Sequence, residues 1–175
     1  MIEMEKIVEY TRTATTEVCA TMLGLELDAS PVWTDEDAPA VSDGVMALVG
    51  IAGPWVGTGV ISCSAAAACE ICGRMLSMQA DAVNEEVLDA VGEVANMIFG
   101  NFKSMIEEHL GPLGLSIPTV IYGRNFTSHS IGKHNWIVLP FKSKNETIEI
   151  RVCLSRAKKP MIPKAGYIQP AETVS

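Results

Sequence analysis

The longest helical pattern in the sequence covers residues 84–110, NEEVLDAVGEVANMIFGNFKSMIEEHL. Asn84 is a suitable N-cap followed by two glutamates, and a Gly-Pro pair beginning at Gly111 ends the pattern. Successive helical positions turn by about 100°, which gathers the apolar residues into one broad sector. That sector comprises Val87, Leu88, Val91, Val94, Ala95, Ile98, Phe99, Phe102, Met105 and Ile106. The pattern predicts a long helix with one face packed on a sheet.

Shorter elements are predicted on both sides of this helix. The first is a helix over 7–23, which Gly24 ends. A loop over 28–43 follows, with at most one short strand around Val32 and Trp33. A hairpin of 45–51 and 56–62 and a short helix capped by Ser64 complete the part before the long helix. After it come a strand over 115–122 and a second hairpin of 136–141 and 147–154.

The two halves of this order echo each other. Each half contains a helix, an irregular link and a hairpin, and residues 17–22 (EVCATM) align with 93–98 (EVANMI), so that Ala20 stands where Asn96 stands. We expect an α+β fold in which helices pack on a mainly antiparallel sheet built from duplicated helix-plus-hairpin units. The expected organisation is a single domain over 1–157 and a C-terminal tail over 158–175.

Composition narrows the class of protein. The net charge of −8 and the pI near 4.8 disfavour nucleic acid as a partner, because the phosphate backbone is itself anionic. The sequence has neither a long apolar run nor a basic-then-apolar start, so we expect no membrane span and no export signal. Five cysteines in apolar segments indicate reduced thiols rather than a disulfide framework. These features predict a cytoplasmic protein.

The opposite sector of the long helix holds the candidate functional residues. Glu93 and Asn96 are three positions apart and therefore share a face, and Met97 places an apolar side chain among polar neighbours. Gly92 and Gly100 flank the pair, although glycine costs about 1 kcal/mol relative to alanine inside a helix. The plain alternative is that this sector is merely a solvated surface.

Residues 92–101 fit the pattern G-E-x-x-N-M-I-x-G-N. The helix around them resembles the signature helix of the CheC, CheX and FliY phosphatases of bacterial chemotaxis. The order of elements over about residues 5–156 is similar to that family as well. CheC proteins carry the Glu and Asn pair twice. Here the first helix has Glu17 but lacks the Asn, because Ala20 replaces it, and this single intact pair points to the CheX branch.

The resemblance implies a phosphatase activity and separate roles for Asn96 and Glu93. The implied substrate is the aspartyl phosphate of a phosphorylated CheY-like response regulator, which brings its own Mg²⁺, so this chain needs no cofactor or metal of its own. Asn96 would orient the attacking water without adding negative charge beside the phosphoryl group. Glu93 would pair with the regulator's active-site lysine. We expect Met97, Gly100 and Lys103 to contact the partner.

Three further expectations remain open on the sequence alone. A catalytically inactive CheX-like adaptor, which binds a regulator or a signalling assembly without hydrolysis, is the main alternative function. A thiol or zinc protein using Cys69 and Cys72 is a weaker one, since core packing explains that pair better. The resemblance also implies a homodimer joined through sheet edges, with 147–154 as the candidate edge strand.

Overall fold

Three helices lie on one face of an antiparallel sheet in the computed structural model of the chain, which describes residues 3–37, 39–127, 135–144 and 146–157. The predicted tail, 158–175, lies outside the described residues. The helices are α1 (Met4–Leu23), α2 (Ala65–Leu76) and α3 (Glu85–Leu110). The strands are β1 (Asp28–Ala29), β2 (Trp33–Asp35), β3 (Ala40–Ala52), β4 (Trp55–Cys63), β5 (Gly114–Leu115), β6 (Thr119–Thr127), β7 (Trp136–Ser143) and β8 (Glu146–Arg156). This arrangement confirms the predicted α+β class.

The sheet places two hairpins side by side. The strand order is β1-β7-β8-β4-β3-β5, with β2 also paired to β7 and β6 also paired to β3, and all of these described pairs are antiparallel. The hairpins β3–β4 and β7–β8 meet at a central pair, β4 against β8. The outer neighbours of β3–β4 are β5 and β6, from the second half of the chain. Those of β7–β8 are β1 and β2, from the first half. The topology therefore has the two-unit form that the sequence echo predicted.

The helix ends follow the predicted signals. Gly24 closes α1 in the left-handed region, with a φ of 59°. The Ser64 hydroxyl accepts a hydrogen bond from the Ala67 N–H at 3.0 Å, and the Asn84 side chain accepts one from the Val87 N–H at the start of α3, also at 3.0 Å. The bounds of α3 are thus fixed by local chemistry.

Two of the predicted segments differ in detail from the observed secondary structure. The stretch 28–43 contains two short strands and the beginning of β3, not one short strand within a loop. These short strands form because β7 offers backbone partners, which the sequence of the stretch alone does not reveal. The predicted strand over 115–122 is divided into β5 and β6 by Ser116, Ile117 and Pro118.

The suggestion that 147–154 is an exposed edge strand is wrong. It lies within β8, which pairs with β4 on one side and with β7 on the other. Its backbone groups are therefore already used inside the sheet, and this strand cannot supply an edge to a second subunit.

The core lies between the helices and the sheet. The apolar sector of α3 is buried in it as predicted, apart from half-buried Leu88 and Met105. Phe99 lies over Gly59 of β4 so closely that a Cβ added to that glycine would collide with the phenyl ring. None of the helices in the described ranges is long and apolar enough to cross a bilayer.

Candidate functional site

The outward sector of α3 forms a surface that we call the α3 ridge, made of Glu93, Asn96, Met97, Gly100 and Lys103. It points outward because the intervening residues, Val94, Ala95, Ile98 and Phe99, are buried against the sheet and the neighbouring helices. Helical geometry then leaves the ridge on the opposite side of α3.

Glu93 and Asn96 are both exposed. Within the described part of the chain, neither side chain takes part in a hydrogen bond or an ion pair. The Glu93 carboxylate and the Asn96 carboxamide thus lie one turn apart on a regular helix. The hydrogen-bond donors and the acceptor of the carboxamide are available to an approaching molecule.

The two glycines that flank this pair have different surroundings. A Cβ built on Gly92 would lie 3.1 Å from Cγ2 of Val120 and 3.8 Å from Cβ of Pro118, so the chain itself fills the space beside this glycine. A Cβ built on Gly100 would have no described atom within 4 Å, apart from the backbone of its own helix and its two neighbours in the chain. The open space beside Gly100 is available to a partner.

Lys103 has a partner within the chain. Its ammonium lies 2.9 Å from Oε1 of Glu107, and the same carboxylate oxygen accepts a hydrogen bond from the Leu113 N–H at 2.6 Å. The Leu113 hydrogen bond, followed by the contact with Lys103, lowers the pKa of the Glu107 carboxyl below its usual value. Lys103 therefore lies on the ridge, but its charge is paired with Glu107.

Met97 is half-buried, and its side chain packs against the core cluster while remaining partly accessible on the ridge. The corresponding surface of α1 exposes Glu17 and Ala20. That surface has a carboxylate and no carboxamide at the matching position, as the sequence comparison predicted.

The pair Cys69 and Cys72 lies on α2, away from the ridge. Cys72 is buried in the core, whereas half-buried Cys69 lines a cleft of about 870 Å³ between α2 and the link to α3. Desolvation raises the pKa of both thiols, which disfavours the nucleophilic thiolate. Among the described residues, no three His, Cys, Asp or Glu side chains form a group that could hold a metal ion.

Two clefts in the described part of the chain do not contain the ridge. Neither the α2 cleft nor a second one of about 650 Å³ between α1 and β2 is lined by any of the five ridge residues. The ridge projects from the surface and is therefore accessible to an incoming macromolecule.

The sequence analysis missed the segment that lies beside the ridge. Residues 116–118 were expected to continue a strand, whereas the contacts of Pro118 and Val120 with Gly92 place this segment against α3 one turn before Asn96. The Pro118 ring was the available signal, because proline restricts the residue before it and interrupts pairing.

Comparisons with known proteins agree with this geometry. The family model described as "Chemotaxis phosphatase CheX" matches residues 45–142, more than half of the chain. No curated protein matches the sequence.

Several solved structures are similar to this one. A CheX chemotaxis protein from Vibrio vulnificus is 29% identical, with 86% of this chain and 99% of that chain covered and a TM-score of 0.76. A CheX chemotaxis protein from Desulfovibrio desulfuricans is 28% identical with the same coverage and a TM-score of 0.77. A CheX–CheY complex with BeF3 and Mg²⁺ from Borrelia burgdorferi is 22% identical, with 86% and 98% covered and a TM-score of 0.74, a level that indicates a shared fold.

Proposed function

This chain belongs to the CheX family of chemotaxis phosphatases, and from that premise we propose that it removes the phosphoryl group from the aspartyl phosphate of a CheY-like response regulator. Water attacks phosphorus, a new P–O bond forms, and the bond to the aspartyl oxygen breaks. The products are the free aspartate of the regulator and inorganic phosphate. The reaction terminates the regulator's signal.

The observation that carries the proposal is the exposed Glu93 and Asn96 pair on the α3 ridge. Both side chains project from a helix whose other face is locked in the core, so their positions are fixed before a partner arrives. Hydrolysis of an acyl phosphate depends mainly on placing water in line with the bond that breaks, and a rigid helix suits this task.

The two residues have separate roles in the proposal. The Asn96 carboxamide accepts a hydrogen bond from the attacking water and donates toward a phosphoryl oxygen, and being neutral it does not repel the anionic group. Glu93 pairs with the lysine of the regulator's active site. The Borrelia complex contains CheY, BeF3 and Mg²⁺, and we propose that here too the metal belongs to the regulator.

The remaining ridge residues form the docking surface. The open space beside Gly100 admits the regulator's backbone, and half-buried Met97 supplies an apolar contact that can adjust its shape. Lys103 contributes to docking in one of two ways: its aliphatic stem packs on the regulator, or its ammonium leaves Glu107 and pairs with a carboxylate of the regulator.

The test follows the decay of a phosphorylated regulator with wild type, Asn96→Ala and Glu93→Ala. Asn96→Ala should bind normally and lower the catalysed rate by about 100-fold, because the water loses its orientation. Glu93→Ala should weaken binding by about tenfold or more, because a charged hydrogen bond is lost. Equal turnover by all three proteins would reject the site assignment.

The same experiment distinguishes the adaptor from the enzyme. An adaptor would bind the regulator through the α3 ridge but leave the decay of its phosphate unchanged in wild type. The intact carboxamide of Asn96 favours the enzyme, since binding alone does not require a water-orienting group on the ridge.

We also propose that the protein works in the cytoplasm, where response regulators act, and that it forms a homodimer. Because β8 is internal, the dimer contact must come from an outer strand. The best candidate is β6, which is longer than β1 and β2 and exposes Ile121 and Tyr122. Its described pairing partner is β3, which leaves its other edge open within the described part of the sheet.

A further inference from the structure

Ile117 is the most exposed large apolar side chain among the described residues, with 87% of its surface accessible. A single exposed aliphatic residue is not unusual on a protein surface. The backbone that carries Ile117 and its position beside the ridge distinguish it from an ordinary exposed residue.

The backbone on both sides of Ile117 is firmly held. The Ser116 N–H donates to the Gly50 carbonyl at 2.9 Å, and the Ser116 hydroxyl accepts from the Gly50 N–H at 2.8 Å. That hydroxyl also donates to the carbonyl of Ile117 at 2.9 Å, and Pro118 restricts the chain on the other side. Binding would therefore require little ordering of this segment, which lowers its entropic cost.

The segment lies directly beside the α3 ridge. Cβ of Pro118 would be 3.8 Å from a Cβ placed on Gly92, and consecutive Cα atoms are about 3.8 Å apart, so Ile117 is close to this turn of α3. Gly92 is one turn before Asn96 on the same side of the helix. Exposed Asp89 lies on that side as well. Ile117 thus lies near the turn of α3 that precedes Asn96.

We propose that Ile117 is an apolar anchor for the phosphorylated response regulator. This inference rests on the proposed function and adds a second, non-helical element to its docking surface. Because Ile117 lies close to the turn of α3 that precedes Asn96, a regulator docked on the ridge covers it. Ile117 acts in binding and does not touch the reacting atoms.

The expected effect is a loss of affinity at constant turnover. Removing most of the apolar surface of one buried isoleucine should weaken the complex by about tenfold, or about 1.4 kcal/mol. Because Ile117 is already exposed in the free protein, its replacement by serine should leave the melting temperature unchanged.

The experiment uses the full chain and titrates it against the regulator whose acyl-phosphate decay it accelerates, loaded with Mg²⁺ and beryllofluoride as the phosphoryl mimic. Ile117→Ser should raise Kd about tenfold, raise KM similarly and leave kcat unchanged. The matched control is Met4→Ser, an exposed apolar residue in the first turn of α1, which should change none of these values.

An unchanged Kd for Ile117→Ser would overturn the inference while leaving the proposed function intact. A loss of homodimer in sedimentation at an unchanged Kd would also overturn it, because the side chain would then contact a second copy. If wild type neither binds the loaded regulator nor accelerates decay of its acyl phosphate, the proposed function fails, and this outcome is visible in wild type before any Ile117 variant is measured.

Discussion

Two glycines of the same helix show how residue-level surroundings separate structural from functional roles. A side chain on Gly92 would press against Val120, whose Cγ2 would lie 3.1 Å from the added Cβ. Gly100 faces open space, so nothing described in the chain explains why a helix-weakening residue occupies that position. We propose that the regulator's backbone approaches the helix at this position.

Substitution of Gly100 by alanine should stabilise the protein and impair its function. Removing a glycine from the interior of a helix should add about 1 kcal/mol to the free energy of unfolding and raise Tm by about 2–4 °C. The new methyl group should hinder docking and lower kcat/KM by about tenfold or more. Thermal unfolding and regulator dephosphorylation measure the two effects.

Gly92→Ala provides the contrasting variant. Its methyl group would press on Val120 at 3.1 Å, so the gain in helix propensity should be offset by strain. If Gly100→Ala keeps full activity, the space beside Gly100 is not part of the docking surface.

At the level of elements, α3 works as a rigid support with two faces. The Phe99 ring lying over Gly59 fixes the rotation of the helix against β4. Ala95 and Ile98 on either side of Asn96 are also buried, so the Asn96 side chain is left exposed. The C-terminal end of α3 is held by Glu107, which receives both Lys103 and the Leu113 N–H. The ridge is therefore anchored from its core face and from its far end.

The Glu107 contacts predict a pH dependence of stability. Because the pKa of Glu107 is lowered in the folded protein, its contribution is present above its ordinary value of 4.5 and is lost as pH falls through the lower folded value. The difference in unfolding free energy between wild type and Glu107→Gln should be present at pH 7 and shrink below about pH 4.5.

Urea unfolding of both proteins across this pH range measures that difference. Glu108→Gln, at an exposed neighbouring position, controls for the loss of one negative charge. If the difference in unfolding free energy between wild type and Glu107→Gln stays constant from pH 7 to below about pH 4.5, the assigned contacts of Glu107 are contradicted.

The whole molecule is a pair of similar halves that keep one complete site. The central β4–β8 pair joins the hairpins of the two halves, and α1 and α3 lie on the same face of the sheet. The α1 copy retains the exposed Glu17, but Ala20 removes the carboxamide. The duplication thus explains the fold, whereas the complete Glu and Asn pair is present on α3 and not on α1.

The same architecture predicts where subunits meet. Ile121→Lys should place a charge at the open edge of β6 and shift the proposed homodimer to monomers, because a charged side chain on an edge strand disfavours pairing with a second copy. Trp33→Lys, on β2 at the opposite edge, should leave the dimer intact. Sedimentation velocity over a range of concentrations reports both variants. A monomeric wild type, or a dimer lost with Trp33→Lys and kept with Ile121→Lys, would reject this edge.

The sequence by itself determined the two faces of α3, because helix periodicity and capping are local: Asn84 begins the helix, and Glu93 and Asn96 must lie opposite the apolar sector. Tertiary structure alone decided that β8 is internal, that Val120 fills the space beside Gly92, and that Ile117 lies near the ridge. These features depend on contacts between residues distant in the chain. Strand pairing leaves the same alternating pattern in an edge strand and an inner one, so no local signal could reveal them.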